Sequence, residues 1–142
     1  MLGDVLLITD KHREAAASIL NKVLEIRKSK MIIAISGESG SGKSEISHVL
    51  AKALRTNGIL TKVMHSDNYY RIHPLERKEW RIQHGIETVV GYNEYDWNNI
   101  YRNIDEFRQG KVANMPCVDL VTEQVDQLIT DFENIDALII DG

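Results

Sequence analysis

The chain has 142 residues, of which 43% are hydrophobic and 27% charged, and its formal net charge is −4. This length suits one domain with a single hydrophobic core. Lys and Arg are dispersed, which argues against nucleic acid as a main partner, and the apolar runs are too short to cross a membrane. A single cysteine, Cys117, excludes a disulfide framework. We therefore expect a cytoplasmic protein that binds neither nucleic acid nor a membrane.

The first predicted element is an amphipathic helix that Asp10 caps and that runs to about Lys28, with apolar side chains at helical spacing. We expect residues 1–30 to pack on the core as an N-terminal helix and residues 31–142 to form the main domain. A contact between copies in a homo-oligomer is the less favoured interpretation of this helix, because amphipathic helices usually serve the core of their own chain.

A strand, a loop and a helix follow. Met31–Ser36 is typical of a buried strand and Glu45–Arg55 of a helix, and between them Gly37–Ser44 fits the phosphate-loop template G-x-x-x-x-G-K-S/T without a gap. Glycines let backbone N–H groups turn inward around phosphate oxygens, next to the positive end of the following helix. The alternative is a Gly- and Ser-rich turn without a ligand.

The loop template assigns individual roles. Lys43 would reach the β- and γ-phosphates of ATP, and the Ser44 hydroxyl would complete the shell of a Mg²⁺ ion. The residues predicted to bind the nucleotide are Gly37, Glu38, Ser39, Gly40, Ser41, Gly42, Lys43, Ser44 and Glu45.

Turn signals divide the rest of the chain. A second strand, a short helix, a longer helix and a third core strand are predicted at Ile59–His65, Pro74–His84, Asp96–Gly110 and Ala137–Ile140. Val125–Phe132 fits a strand or a helix. Strands that alternate with helices form a parallel sheet. We therefore expect an α/β fold of the P-loop NTPase type, with helices flanking a sheet that is truncated after the third core strand and has an edge at Asp141.

Two aspartates follow predicted strands. Asp67 comes after the second strand and Asp141 after the third, and ligands of parallel sheets bind at the carboxyl ends of the strands. Asp67 is therefore placed to accept a proton from an acceptor hydroxyl, and Asp141 to hold a metal ion or its water. Aspartate also favours turns, so the alternative interpretation of each residue is a turn aspartate without a catalytic role.

The order of these motifs resembles the phosphoribulokinase and uridine kinase family of phosphate-loop kinases. The resemblance covers roughly Met31–Gly142 and rests on the loop and on the segments Ser66–Tyr70, Met115–Asp119 and Ile139–Gly142. It implies ATP-dependent phosphorylation of a hydroxyl on a nucleoside-like or sugar-like small molecule. It also implies that Asp67 is the catalytic base beside Lys43, that Tyr70 contacts the substrate, and that Asp141 stands where the family has a metal-associated Glu.

The sequence departs from the uridine kinase pattern at the acceptor site. Val118 and Glu123 stand where that pattern has the Tyr and His that contact the pyrimidine, and a pocket without its hydrogen-bonding groups loses discrimination. The acceptor therefore stays open, with Arg71 and Glu123 as further candidate substrate contacts. Glu94 or Asp96 is a candidate for a sugar hydroxyl, although Asp96 is also a suitable helix cap. The family's arginine-bearing lid would lie beyond Gly142.

Two other functions are consistent with a phosphate loop. An NTPase or switch module would use water as the acceptor, and a nucleotide-binding scaffold would have no turnover.

The basic residues Arg71, Arg77, Lys78 and Arg81 fit a charged helix face or a site for a phosphorylated substrate. His65, His73 and His84 lack metal-ligand spacing, and we expect them to be solvated.

Overall fold

The computed structural model describes residues 1–142, which form helices α1–α5, strands β1–β5 and two short 3₁₀ turns. The helices are Asp10–Glu25, Lys43–Thr56, Pro74–His84, Ile86–Val89 and Trp97–Arg108. The strands are Met31–Ile35, Thr61–His65, Val112–Asp119, Gln124–Asp131 and Ala137–Asp141, and the 3₁₀ turns are Ser66–Tyr69 and Tyr92–Glu94. No helix combines the length and the apolarity needed to cross a bilayer.

Three parallel strands form the central sheet, in the order β1–β5–β2. This arrangement confirms the predicted parallel sheet with flanking helices. The prediction that the sheet has an edge at Asp141 is wrong, because β5 lies between the other two strands. The physical reason is its composition: Ala137, Leu138 and Ile139 are fully buried, as expected for a strand covered on both faces.

A separate hydrophobic core covers each face of this sheet. Ile139 packs in a cluster with residues of α1, α2 and β1, whereas Leu138 packs in a cluster with residues of α5 and β3. Adjacent side chains of one strand point to opposite faces, so β5 contributes to both cores. The N-terminal helix belongs to the first cluster through Ala16 and Val23. The division into residues 1–30 and 31–142 stays a prediction.

The second sheet is an antiparallel hairpin of β3 and β4, paired from Val112↔Asp131 to Asp119↔Gln124. The segment Val125–Phe132, which fitted a strand or a helix, therefore lies in strand β4 as far as Asp131. Strand β3 was not predicted from the sequence. The N-terminal segment lies beside this hairpin, because Leu2 N–H donates to Val118 O at 3.0 Å and Leu120 N–H donates to Leu2 O at 3.0 Å.

Helix and strand ends differ from the sequence prediction by a few residues. Thr9 rather than Asp10 is the N-cap of α1, since its backbone N–H donates to His12 Nδ1 at 3.1 Å, and α1 ends at Glu25 rather than near Lys28. Asp96 does cap α5, because its Oδ1 accepts from Asn99 N–H at 3.1 Å.

Candidate active site

The phosphate loop, Gly37–Ser44, connects β1 to α2 and is held by hydrogen bonds between its own residues. Lys43 Nζ donates to Glu38 O at 2.8 Å, and Ser41 N–H donates to the same oxygen at 3.2 Å. Gly42 is the N-cap of α2 and has a left-handed backbone with φ of 88°, which favours glycine. The loop therefore places free backbone N–H groups and a lysine ammonium at the positive end of a helix, which is an anion-binding arrangement.

A cavity of about 530 Å³ opens over this loop. It brings the loop together with Asp67, Tyr70 and Asp141, which are far apart in the sequence. The carboxyl ends of β1, β2 and β5 meet here, as expected for a parallel sheet. The lining residues are Met1, Asp4, Gly37, Ser39, Gly40, Gly42, Lys43, Ser44, Glu45, His65, Asp67, Tyr70, Tyr95, Asp141 and Gly142.

The carboxylate of Asp141 lies at the inner side of this cavity. Its side chain is 5% exposed, and its Oδ1 accepts from His65 Nδ1 at 2.7 Å. Its other oxygen, Oδ2, is buried and has no hydrogen-bond partner. Because a buried polar atom without a partner is costly, Oδ2 is suited to a ligand that enters the cavity.

These residues fit the Mg²⁺ ion that the phosphate loop implies. Mg²⁺ takes oxygen ligands and is usually held by one or two carboxylates together with substrate phosphates rather than by a cage of protein groups. Asp141 offers one free carboxylate oxygen, and Ser44 lines the same cavity. No cluster of three or more His, Cys, Asp or Glu side chains forms a metal site by itself.

Aromatic side chains form the wall on the side of Asp67. The rings of Tyr70 and Tyr95 stack with centroids 4.7 Å apart, and Tyr95 Oη donates to Tyr70 Oη at 3.3 Å. The Arg77 guanidinium lies 3.7 Å from the centroid of the Tyr70 ring. Burial raises the pKa of the Tyr70 phenol well above its ordinary value, so the hydroxyl stays protonated. Burial is also the main cause that lowers the pKa of Arg77.

Glu94 supports this wall from behind. It is 2% exposed and accepts from both Nε and Nη2 of Arg81, the latter at 3.0 Å, and from Gly91 N–H at 3.2 Å. The hydrogen bonds from Arg81 hold the pKa of Glu94 below its usual range. Because its carboxylate is already engaged, Glu94 is a structural residue rather than a free acceptor for a sugar hydroxyl.

Four of the predicted site residues do not line the cavity. Arg71 is exposed and its backbone N–H donates to Glu94 O at 2.7 Å. Glu123 is exposed in the turn of the hairpin, with φ of 56°. Glu38 and Ser41 are exposed and do not belong to the cavity lining. Their ligand contacts stay predictions.

The cavity also contains residues that the sequence did not predict as site residues, namely His65, Tyr95, Met1 and Asp4. The expectation that His65 is solvated is wrong, because its side chain is 29% exposed and bonded to Asp141. The sequence did contain one sign that His65 lies at the site, namely its position at the end of β2, directly before Ser66 and Asp67. No local pattern marks Met1 or Asp4.

Comparisons with known proteins show the family of this chain. The sequence model of the Phosphoribulokinase / Uridine kinase family matches residues 32–142. Uridine kinases from Staphylococcus aureus strains JH9 and Newman are 25% identical over 116 residues, which cover 81% of this chain. The same match covers 53% of each relative, so the chain spans about half the length of the curated relatives it matches.

Solved structures share the fold. A structure from Silicibacter sp. TM1040, provisionally described as a fructose transport system kinase, covers 89% of this chain and 62% of its own with a TM-score of 0.70 and 22% identity. One from Bacillus stearothermophilus, described as a possible uridine kinase, covers 93% and 71% with a TM-score of 0.64 and 23% identity. These likenesses confirm the α/β fold, and this chain spans 62% and 71% of the length of the two neighbours.

Proposed function

Since the chain belongs to the phosphoribulokinase / uridine kinase family, we propose that it is an ATP-dependent phosphotransferase that acts on a hydroxyl of a small molecule. One observation carries the proposal: the phosphate loop, Asp67 and Asp141 line a single cavity, and Asp141 has a buried oxygen without a hydrogen-bond partner. These are the parts that phosphoryl transfer requires, namely a phosphate clamp, a base and an oxygen ligand for a cation.

The proposed reaction uses each part once. The triphosphate of ATP lies in the phosphate loop, where backbone N–H groups and Lys43 offset its charge. Asp67 accepts the proton of the acceptor hydroxyl while that oxygen attacks the γ-phosphorus. The bond from the γ-phosphorus to its bridging oxygen breaks, which gives the phosphorylated acceptor and ADP. Mg²⁺, when bound at Ser44 and Asp141, neutralises phosphate charge.

We propose a nucleoside-like or sugar-like acceptor. The uridine kinases among the relatives support this class, and so does the stacked pair of Tyr70 and Tyr95 beside Asp67. Their phenol hydroxyls can donate hydrogen bonds to a polar ligand or accept them from it. Val118, at the position of the uridine kinase tyrosine, is 4% exposed and lies outside the cavity lining, which favours an acceptor bound differently from uridine.

The setting of the reaction is also a proposal. Cys117 is a free, buried thiol, which is consistent with a reducing cytoplasm. The partner we propose is a small molecule, without nucleic acid or membrane. The proposal also includes a homo-oligomer, in which a second copy of the chain contacts the outer face of α1.

A panel of acceptors with radiolabelled ATP tests the proposal on the full-length gene product. We expect label on one member of a panel that contains uridine, cytidine, ribulose 5-phosphate, fructose and D-glycerate. Asp67→Asn should lower the rate of transfer by roughly 10²- to 10⁴-fold, because it removes the general base, while ATP affinity stays unchanged. Leu75→Ala, at an exposed position of α3, is the matched control.

Other outcomes identify the alternatives. ATP hydrolysis without added acceptor, insensitive to Asp67→Asn, would show an NTPase with water as the acceptor. ATP binding with no product for any alcohol would show a nucleotide-binding module. Either result would overturn the proposed transfer reaction.

A further inference from the structure

Asp141 is paired with His65, a residue that the phosphotransfer proposal does not use. They are direct partners in the parallel register of β2 and β5, at the carboxyl ends of both strands. His65 Nδ1 lies 2.7 Å from Asp141 Oδ1. With the carboxylate oxygen as the acceptor, Nδ1 carries the hydrogen of this bond. The imidazole therefore donates to one oxygen of a carboxylate that is almost completely buried.

This bond restricts the orientation of the carboxylate. An aspartate side chain rotates freely about its last torsion, for which rotamer preferences are broad. With Oδ1 bonded to His65, rotation of the group would break a short hydrogen bond. The second oxygen, Oδ2, is thereby kept in one place, where it is buried, has no protein partner and belongs to a residue of the cavity wall.

We propose that His65 is a positioning residue, whose Nδ1–H orients Asp141 so that Oδ2 can hold the divalent cation of the bound nucleotide or a water of that cation. This inference rests on the proposed function, because it assumes that a metal nucleotide occupies the phosphate loop. Groups that orient a metal-binding side chain typically contribute 10- to 100-fold to metal affinity. A pair that served only to join β2 and β5 would change stability and leave the cation affinity unaltered.

Three substitutions of His65 separate these roles. His65→Asn keeps an N–H donor at the same number of bonds from the backbone as Nδ1. His65→Gln moves the donor one bond further out, and His65→Ala removes it. His84→Ala is the matched control, because His84 is an exposed histidine on α3 that lies outside the cavity lining.

The experiment measures binding of Mn²⁺ to the complex with a non-hydrolysable ATP analogue, through the electron paramagnetic resonance signal of free Mn²⁺. Affinity for the analogue without metal is measured in parallel in EDTA. We expect His65→Ala and His65→Gln to weaken Mn²⁺ binding about tenfold or more. We expect His65→Asn to stay within about threefold of the wild type, His84→Ala to match it, and the metal-free affinity to change in none of them.

The outcomes distinguish this inference from the proposed function. If the wild-type chain binds neither the analogue nor Mn²⁺ with it, the proposed function fails and this inference fails with it. If the wild type binds both and His65→Ala binds Mn²⁺ equally well, only the inference is overturned. It is also overturned if His65→Asn is as weak as His65→Ala, or if the metal-free affinity falls by the same factor as the Mn²⁺ affinity. Should His65→Ala not fold, the comparison of Asn with Gln decides.

Discussion

Gly42 lies where the phosphate loop becomes helix α2, and two features of this position disfavour a side chain. Its φ is +88°, and an added methyl group would come within 2.6 Å of His12 Nε2. His12 belongs to α1, where its Nδ1 accepts from Thr9 N–H at 3.1 Å. The N-terminal helix therefore packs directly against the phosphate-binding turn.

We predict that Gly42→Ala destabilises the protein more than Gly58→Ala does. Gly58 has a similar φ of +76° with nothing within 4 Å of an added methyl group, so it reports the backbone strain alone, about 1–2 kcal/mol. Urea unfolding of both variants measures the difference. His12→Ala should restore part of the stability of Gly42→Ala and none of that of Gly58→Ala. Equal costs at the two glycines would show that His12 exerts no constraint.

The ion pair of Arg81 and Glu94 is asymmetric in burial, since their side chains are 32% and 2% exposed. Arg81→Met leaves a buried carboxylate without its charge partner and should cost about 3 kcal/mol. Glu94→Gln leaves an arginine that water can reach and should cost less. Arg13→Ala, at a pair with exposures of 58% and 92%, is the control and should cost about 0–1 kcal/mol.

The same pair predicts a dependence of stability on pH. Arg81 lowers the pKa of Glu94 below its ordinary value of 4.5, so the pair contributes fully above pH 4.5 and less as the pH falls through the lowered pKa. The stability difference between wild type and Arg81→Met should therefore shrink in acid. Chemical unfolding at a series of pH values checks this, and a difference that grows below pH 4.5 would contradict it.

At the scale of elements, the hairpin of β3 and β4 depends on the N-terminal segment. Leu120 N–H donates to Leu2 O, while Val118 N–H donates to Asn68 Oδ1 at 3.0 Å. Deletion of residues 2–8 should speed amide exchange at Leu120 about tenfold or more, because its acceptor is lost. Val118 should keep its protection and is the internal control. Unchanged exchange at Leu120 would show that the segment does not hold the hairpin.

The same hairpin shows why some elements were not predictable. Burial alternates in β3 only from Val112 to Met115, and Met115, Pro116, Cys117 and Val118 are then buried in succession. A proline also argues against an interior strand. In β4 every residue except Thr130 is exposed, so no apolar face marks it. Each strand is defined by its partner, which a local pattern does not contain. By contrast, β1 and β5 were predicted because they are apolar runs with clear ends.

At the scale of the whole molecule, the cavity combines predictable and unpredictable residues. Asp67 and Asp141 were expected to meet the phosphate loop, because the carboxyl ends of parallel strands lie at one edge of the sheet. The contact between His65 and Asp141 depends on the register of strands 76 residues apart. The approach of Asp4 to the cavity depends on the path of the N-terminal segment. Neither is encoded in a local motif.

The central claim is that the phosphate loop binds the triphosphate of ATP, and nucleotide titration calorimetry tests it most directly. We predict that the wild-type chain binds one molecule of a non-hydrolysable ATP analogue in the presence of Mg²⁺. Lys43→Ala should weaken this binding about 10- to 100-fold, since a hydrogen bond to a charged group contributes about 1.5–3 kcal/mol. Lys52→Ala, at an exposed position of α2, should bind as the wild type does. Equal affinities for wild type and Lys43→Ala, or no binding by the wild type, would contradict the claim.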